Sequence, residues 1–268
     1  MLADAGRTRL ADQGVVVVRS LLDATWCRRL GAAIDRCRSD PGEHYGILSP
    51  DDLPVVDSDL FRWSDDPTLR ELTHESQLPA CAADLLGHEQ VVLIEDQWFS
   101  SAPGARTPSP WHQDDPYYNL DRPFLTIWIT LDDIGSDLSL RVVPRSHTTG
   151  HLYAPVEFSA KASTIGDGSS LQPVPDIDGR PSDHQVLSWD LDAGDAVAID
   201  SRLLHATGRG TLADRWFRRV STRWAAPDTR YLDRGPQVAK FWQMLPHGLA
   251  DGDLIAGDVF PLIARPTA

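Results

Sequence analysis

The sequence has few cysteines and no long apolar run. Its 268 residues include three cysteines, and no two of them form a Cys-x-x-Cys pair. An odd number without that spacing is typical of reduced thiols, not of a disulfide framework or a zinc site. No apolar stretch approaches the roughly 18 residues of a membrane helix. Residues 1–7 also lack the apolar core of a signal peptide. We therefore expect a cytoplasmic protein that does not enter a membrane.

Positive charge is scarce relative to negative charge. The chain has 25 Lys and Arg against 39 Asp and Glu, which gives a formal net charge of −14 at pH 7. A chain this acidic repels nucleic acid and anionic membranes, so we expect neither as a partner. The charge favours a neutral or cationic small molecule as ligand, although solubility alone explains it equally well. Composition does not determine the oligomeric state, and we expect either a monomer or a homodimer.

Short apolar segments separated by turn residues predict a mainly β protein. The counts of 19 Gly and 20 Pro suit a turn-rich chain. Runs of β-branched and apolar residues predict strands at 14–18, 91–99, 124–131, 138–143, 196–199 and 218–224. Helical spacing predicts one helix after an N-cap at Asp23 and a helical region over 67–86, interrupted near Pro79. We predict one domain over residues 1–268, with a double-stranded β-helix (jelly-roll, cupin-like) core and flanking helices.

Residues 151–185 differ from the rest of the chain. They are rich in Gly, Ser, Asp and Pro and show little periodicity. A long irregular segment inside a compact domain is usually functional or disordered. We predict that this segment is a lid insertion over the mouth of the barrel, and a passive surface insertion is the alternative.

The strongest candidates for metal ligands lie in Trp111-His112-Gln113-Asp114. On an extended strand, residues i and i+2 point to the same face, so the His and the Asp would converge. His205, after a later strand, offers a third ligand. Two His and one carboxylate on one face of a metal suit non-heme Fe(II) chemistry. The His-x-Asp spacing alone proves little, because it is expected about once by chance in a chain of this composition.

The order of several motifs resembles the phytanoyl-CoA dioxygenase (PhyH-like) family of Fe(II)/2-oxoglutarate-dependent oxygenases. An opening strand and helix are followed by Trp-His-Gln-Asp, then Trp-x-x-Leu-Asp from Trp128, then Pro-Arg-Ser-His, then a Gly-Asp strand opening before His205. The resemblance covers most of residues 10–235 and is weakest in 40–90 and 151–185. One departure is Arg145, which stands where the family usually has Gly.

The resemblance implies a function. It implies that His112, Asp114 and His205 bind Fe(II), with 2-oxoglutarate and O2 completing the coordination sphere. The metal and co-substrate supply the oxidising power, and the protein positions a small organic substrate. Hydroxylation is the default outcome, and desaturation, cyclisation or epimerisation can follow from the same chemistry. The acidic charge and altered turns favour a specialised metabolite, as in antibiotic biosynthesis, over a coenzyme-A thioester.

The resemblance also implies an arginine for the far carboxylate of 2-oxoglutarate. The family's usual position, about eleven residues after the distal His, holds Trp216 here. The arginine must therefore be found among its neighbours. Strand alternation places Arg219 and Ser221 on one face, which we assign to the interior. Arg218 and Arg215 remain alternatives.

Four further residues are assigned to the pocket on weaker grounds. The resemblance implies that Trp128 forms a wall of the 2-oxoglutarate pocket, with an ordinary core aromatic as the alternative. Gln97 lies on a neighbouring strand, from which its amide could reach the co-substrate. Tyr117 and Tyr118 follow the ligand segment and are predicted to line the substrate entrance.

Two other classes stay open at this point. The displaced arginine favours a non-catalytic cupin-like protein that binds a metal or a small molecule, whereas the intact ligand set disfavours it. A zinc-dependent hydrolase or isomerase would need a nearby general base and no 2-oxoglutarate pocket. Anaerobic titration with Fe(II) and 2-oxoglutarate separates these classes, because a visible charge-transfer band is expected only for the oxygenase.

Overall fold

The computed structural model describes residues 2–106, 109–156, 158, 171–235, 242 and 245–265. Its α-helices are α1 (Leu2–Gln13), α2 (Ala24–Ser39), α3 (Pro67–His74) and α4 (Gln77–Leu86). Its strands are β1 (Val15–Val18), β2 (Gly46–Ile47), β3 (Val56–Leu60), β4 (Gln90–Ser101), β5 (Leu125–Thr130), β6 (Leu140–Val142), β7 (Ala196–Asp200), β8 (His205–Thr207), β9 (Phe217–Ala225) and β10 (Leu262–Ala264). In these ranges no helix is long and apolar enough to cross a membrane.

Two antiparallel sheets form the β core. The large sheet has the order β1-β7-β5-β9-β4-β3-β2, with β10 paired to β4, and the small sheet pairs β6 with β8. Side chains of both sheets meet in one apolar cluster, which includes Trp128 and Val197 of the large sheet and Val142 of the small sheet. This arrangement confirms the predicted jelly-roll class, although the two sheets do not close into a continuous barrel.

Strand β5 shows how the large sheet separates core from interior. Leu125, Ile127 and Ile129 belong to the apolar cluster that also contains Leu30 of α2 and Leu69 of α3. The helices therefore cover one face of the sheet. Because side chains alternate along a strand, the intervening residues of β5 face the small sheet. The functional site is built on that inner face.

The predicted helices form, with one boundary corrected. The Asp23 side chain accepts a hydrogen bond from the Trp26 backbone N–H and begins α2 as expected. The predicted interruption of the region 67–86 is confirmed, but it lies at Glu75 and Ser76, before Pro79. The Ser76 hydroxyl accepts from the Leu78 N–H at 3.0 Å and begins α4. Pro79 lies in the first turn of α4, where a missing N–H costs no intrahelical bond.

Strand β3 is an unpredicted element with buried acidic side chains. Asp57 and Asp59 are fully buried. Arg38 of α2 contacts Asp57 at 2.8 Å, and Arg62 contacts Asp59 at 2.9 Å. Buried carboxylates require such partners. The Arg38–Asp57 pair attaches β3 to α2, whereas the Arg62–Asp59 pair joins β3 to the turn that follows it.

The predicted lid insertion is described only in part, since residues 157 and 159–170 lie outside the described residues. The described flank 171–185 packs on the small sheet. Ile177 is 2% exposed and clusters with Trp111 and Ala206. The Asp178 carboxylate accepts hydrogen bonds from Trp111 Nε1 at 2.9 Å and from Arg141 at 2.6 Å. The flank 171–185 is therefore anchored, and the lid function of the segment stays a prediction.

Candidate metal centre

His112 and Asp114, which are neighbours in the sequence, meet the distant His205 between the two sheets. His112, Asp114 and His205 are all buried, and their ligand atoms lie within 4.8 Å of one another. The Asp114 Oδ1 atom is 3.5 Å from His112 Nε2 and 3.6 Å from His205 Nε2. One metal ion between them would contact two imidazole nitrogens and one carboxylate oxygen. The structure thus brings together the three residues that the sequence singled out.

The backbone reaches this arrangement differently from the prediction. His112 forms an isolated antiparallel bridge with His205 and is not part of an extended strand. Asp114 has helical angles, φ −74° and ψ −37°, and immediately precedes the 3₁₀ turn Asp115–Tyr117. The expected extended i, i+2 geometry is therefore wrong, because the chain turns at Asp114. The turn still directs its carboxylate toward the two imidazoles.

Each imidazole is oriented by its other ring nitrogen. His112 Nδ1 lies 2.9 Å from the Pro110 carbonyl oxygen, and His205 Nδ1 lies 2.9 Å from the Leu203 carbonyl oxygen. These carbonyls accept a hydrogen bond from Nδ1–H, which leaves Nε2 unprotonated for a metal. Burial, together with His112, lowers the pKa of His205 to about 4. A neutral imidazole at pH 7 is the form that binds metal.

The two oxygens of Asp114 have different surroundings. Oδ1 faces the imidazoles, whereas Oδ2 accepts a hydrogen bond from Thr126 Oγ1 at 2.7 Å and lies 3.4 Å from Arg223 Nε. Burial alone would raise the pKa of Asp114, but Arg223 and the two histidines hold it well below its usual range. Asp114 is therefore ionised and ready to bind a cation.

A second carboxylate ties together the segments that carry the ligands. Asp115 is 1% exposed, and its oxygens contact Arg202 Nε at 3.2 Å and Arg234 Nη1 at 2.7 Å. The Asp115 N–H also donates to the Ser201 carbonyl at 2.9 Å. The turn with Asp114 is thus attached to the loop before His205 and to the C-terminal region.

Arg219 lies on the inner face of the large sheet, on the strand whose Arg223 contacts Asp114. It is 6% exposed, and Nη1 donates to Ser101 Oγ at 2.9 Å. Its guanidinium lies 5.1 Å from the Phe99 ring and 4.8 Å from the Phe217 ring. Within the described ranges no carboxylate lies at ion-pair distance from it. Burial lowers the pKa of Arg219 to about 10, so it carries a charge at neutral pH.

The alternative arginines point to the outside. Arg218 Nη2 contacts Asp35 of α2 at 2.8 Å, and the exposed Arg215 donates to the Asp133 carbonyl at 3.2 Å. Trp216, which stands at the usual position of the family's arginine, lies under the guanidinium of Arg38 at 3.9 Å. These three side chains face away from the metal ligands.

The remaining predicted pocket residues occupy neighbouring strands. Ser221 of β9 is paired with Gln97 of β4 on one side and with Trp128 of β5 on the other. All three therefore lie at one level of the inner face, two residues along β9 from Arg219. The Gln97 Oε1 atom is 3.4 Å from Arg223 Nη1.

The two tyrosines have different surroundings. The Tyr117 hydroxyl lies 2.7 Å from the carbonyl oxygen and 2.6 Å from the nitrogen of Val156, and its ring centroid lies 6.0 Å from that of His112. Tyr118 is 4% exposed, and its ring faces the Arg223 guanidinium at 5.5 Å. Tyr117 thus borders the metal centre, whereas Tyr118 lies behind Arg223.

Sequence reasoning missed several residues at the centre. Thr126 and Arg223 contact Asp114, Glu95 contacts Arg223, and the Phe158 ring lies 4.7 Å from that of His112. Strand alternation places Arg223 on the inner face with Arg219, but no sequence pattern shows that it contacts Asp114. No sequence pattern marks Phe158, which comes from an irregular segment.

The donor set defines the class of the site. Two imidazoles and one carboxylate on one side of a metal, with the opposite side left to other ligands, form the facial triad of non-heme Fe(II) oxygenases. The buried arginine on the same face suits an acid co-substrate. The fold and site therefore define a jelly-roll protein of the non-heme iron type.

The chain belongs to the phytanoyl-CoA dioxygenase (PhyH) family, whose model matches residues 10–251. It is accordingly an Fe(II)/2-oxoglutarate-dependent oxygenase. A comparison with curated protein sequences finds no significant match.

Solved structures share the fold over nearly the whole chain. The non-heme alpha ketoglutarate dependent carbocyclase SnoK from nogalamycin biosynthesis has a TM-score of 0.76 and 20% identity, covering 97% of this chain and 96% of its own. The epimerase SnoN in complex with Fe3+, alpha ketoglutarate and nogalamycin RO has a TM-score of 0.76 and 22% identity, with coverages of 97% and 98%. EvdO2 from Micromonospora carbonacea var. aurantiaca, complexed with 2-oxoglutarate, has a TM-score of 0.64 and 19% identity, with coverages of 87% and 96%.

Proposed function

We propose that His112, Asp114 and His205 bind Fe(II), that Arg219 binds 2-oxoglutarate, and that the enzyme oxidises a small organic molecule of specialised metabolism. The observation that carries the proposal is the buried Arg219, which has no carboxylate at ion-pair distance among the described residues. It lies on the strand face from which Arg223 reaches Asp114 of the buried His-Asp-His cluster. A buried charge needs a counter-charge. The far carboxylate of 2-oxoglutarate provides one.

The surroundings of Arg219 suit a carboxylate. A cavity of about 30 Å³ adjoins it and is bounded in part by Ser101, Thr207, Gly208 and Phe217. The planar guanidinium can donate two parallel hydrogen bonds to one carboxylate. We assign the Ser101 and Ser221 hydroxyls as further donors and Trp128 as a wall of the same pocket. Gln97, beside Arg223, is assigned to the end of the pocket nearer the metal.

Different protein groups bind the metal, orient its ligands and exclude water. The two Nε2 atoms and Asp114 Oδ1 hold the metal, while the Pro110 and Leu203 carbonyls fix both rings. When bound, Fe(II) with 2-oxoglutarate and O2 supplies an oxidant that removes a hydrogen atom from the substrate. The apolar walls exclude water, which protects that chemistry from side reactions.

The substrate is proposed to lie against aromatic side chains. Phe158 meets the His112 ring edge to face, and Tyr117 lies 5.7 Å from Phe158. Such surfaces suit a molecule with a flat or apolar body. A substrate contact is proposed for Tyr117, whereas Tyr118 contacts Arg223. The nogalamycin enzymes with the same fold support a specialised metabolite, with hydroxylation, ring closure and epimerisation as candidate outcomes.

The test is an anaerobic titration. The apo-protein is loaded with Fe(II), and 2-oxoglutarate is added while the visible charge-transfer band is recorded. Wild type is expected to show the band, and Arg219→Met should need a far higher 2-oxoglutarate concentration. Loss of a buried charge-assisted pair costs on the order of 2–5 kcal/mol, or about 30- to 5,000-fold in affinity.

Arg218→Met is the matched control. Arg218 is adjacent to Arg219 on β9, but its side chain points to the opposite face of the sheet and pairs with Asp35 of α2. It should titrate like wild type. Normal binding by Arg219→Met and weak binding by Arg218→Met would refute the assignment. A wild-type protein that binds Fe(II) without any band would instead support the non-catalytic cupin-like alternative.

A further inference from the structure

The two carboxylate oxygens of Asp114 contact different groups. Oδ1 faces both imidazole Nε2 atoms at 3.5 and 3.6 Å. Oδ2 instead accepts a hydrogen bond from Thr126 Oγ1 at 2.7 Å and lies at ion-pair distance, 3.4 Å, from Arg223 Nε. Thr126 and Arg223 are paired across β5 and β9, so both side chains reach the carboxylate from the same level of the large sheet.

Arg223 is itself fixed by buried groups. Its Nη1 atom lies 2.5 Å from Glu95 Oε1, and Glu95 is the residue opposite it on β4. Glu95 is fully buried and Arg223 is 9% exposed. The Tyr118 ring covers the guanidinium at 5.5 Å. These contacts fix the position of the Arg223 guanidinium, and with it the positive charge beside Asp114 Oδ2.

Arg223 and Arg219 are the two buried guanidiniums of one strand face, yet they differ in charge balance. Arg223 lies between the carboxylates of Glu95 and Asp114, whereas Arg219 has no described carboxylate partner. Four residues of strand separate their Cα atoms by about 13 Å. Arg219 therefore remains available to an anionic ligand, and the charge of Arg223 is already matched within the protein.

We propose that Thr126 and Arg223 hold Asp114 as a one-oxygen metal ligand and that Glu95 positions Arg223 for this purpose. The inference rests on the proposed metal site. A carboxylate can bind a metal through one oxygen or through both. In a six-coordinate site, three protein atoms leave three positions, which is the number that a chelating 2-oxo acid and O2 require together. A second bond from Asp114 would occupy one of them.

The test counts the open positions without using activity. The apo-protein is loaded with Mn(II), and metal-bound water is counted from the broadening of the EPR lines in 17O-enriched water. Wild type is expected to hold three waters. Thr126→Val, which keeps the shape but removes the hydroxyl, should hold two, and 2-oxoglutarate should bind the Mn(II) form about 10- to 100-fold more weakly, as for other lost partners of metal ligands. Thr126→Ser should restore three waters.

Arg223 is tested together with its partner. Changing Arg223→Gln and Glu95→Gln in one protein removes both charges, which avoids leaving a single charge buried. This double variant should also lose one water. Arg219→Met serves as the control, since it should bind 2-oxoglutarate poorly but keep three waters.

The outcomes separate this inference from the proposed function. Three waters in Thr126→Val and in the double variant would overturn the positioning role, even if wild type binds metal and 2-oxoglutarate normally. A wild type that fails to bind Mn(II) at His112, Asp114 and His205 would overturn the proposed function itself.

Discussion

His112 and His205 are joined through their backbones as well as by the site they share. The His112 N–H donates to the His205 carbonyl at 3.0 Å, and the His205 N–H donates to the His112 carbonyl at 2.9 Å. The two imidazoles therefore start from directly opposed Cα positions, with ring centroids 4.1 Å apart. The spacing of the two nitrogen ligands is set by main-chain bonds, which side-chain substitutions leave in place.

The first prediction concerns metal retention. His112→Ala, His205→Ala and Asp114→Ala each remove one of three protein ligands while leaving the backbone bridge possible. Each variant should fold and should lose most of its bound iron, which metal analysis after reconstitution and gel filtration would measure. His151→Ala is the control, because that imidazole lies outside the cluster. Full iron content in all three variants would contradict the assigned site.

The second prediction concerns the pH dependence of stability in the apo-protein. In the folded state, burial lowers the pKa of His205 from its ordinary value of 6.5 to about 4. Its stabilising contribution is therefore complete above pH 6.5 and is lost as the pH falls toward 4, because the unfolded chain binds the proton first. Between pH 7 and 5 the loss should be on the order of 1–2 kcal/mol.

Urea unfolding at pH 7, 6 and 5 measures this loss. His205→Gln removes the titrating group, so its free energy of unfolding should fall less over the same range. Parallel pH profiles for the two proteins would show that His205 is not the group responsible.

The third prediction compares two ion pairs of equal length. Arg234–Asp115 and Arg122–Asp228 both measure 2.7 Å, but Asp115 is buried and Asp228 is exposed. Arg234→Gln leaves a buried carboxylate with one partner fewer and should cost about 3–5 kcal/mol of unfolding free energy. Arg122→Gln should change little, because exposed pairs are weak. Chemical denaturation of both variants is the measurement, and equal effects would refute the role of burial.

The fourth prediction concerns Trp216. This residue stands where the family's arginine is expected, but it packs under Arg38 on the outside. Trp216→Ala should therefore leave the affinity for 2-oxoglutarate within about twofold of wild type, and should cost only the lost cation–π contact, about 0.5–1 kcal/mol. A tenfold loss of 2-oxoglutarate affinity would place Trp216 in the pocket after all.

The apolar strands and the ligand residues could be predicted from the sequence. The strands β1, β4, β5 and β9 follow from β-branched and aromatic runs, whose pattern reflects burial directly. His112, Asp114 and His205 were identified by residue type and motif order. Strand alternation also placed Arg219 on the inner face, where the structure has it.

Other features depend on partners that no local pattern reveals. The sequence of β3 resembles a loop, because Asp57 and Asp59 alternate with small or apolar residues. Their burial depends on partners that include Arg38 and Arg62. The turn at Asp114 is fixed by Arg234, which lies far along the chain. Arg38 and Arg234 lie far from their carboxylate partners in the sequence, so periodicity does not record these two ion pairs.

Strand β5 carries two separate sets of positions, one facing the helices and one facing the metal ligands. The face toward the helices carries Leu125, Ile127 and Ile129. The face toward the metal ligands carries Thr126 and Trp128. Directed evolution of substrate scope could exploit this division. A library restricted to inner-face positions other than the metal-holding groups would vary the cavity while the packing beneath the helices stays constant. Loss of activity in such a library would then report on chemistry and seldom on unfolding.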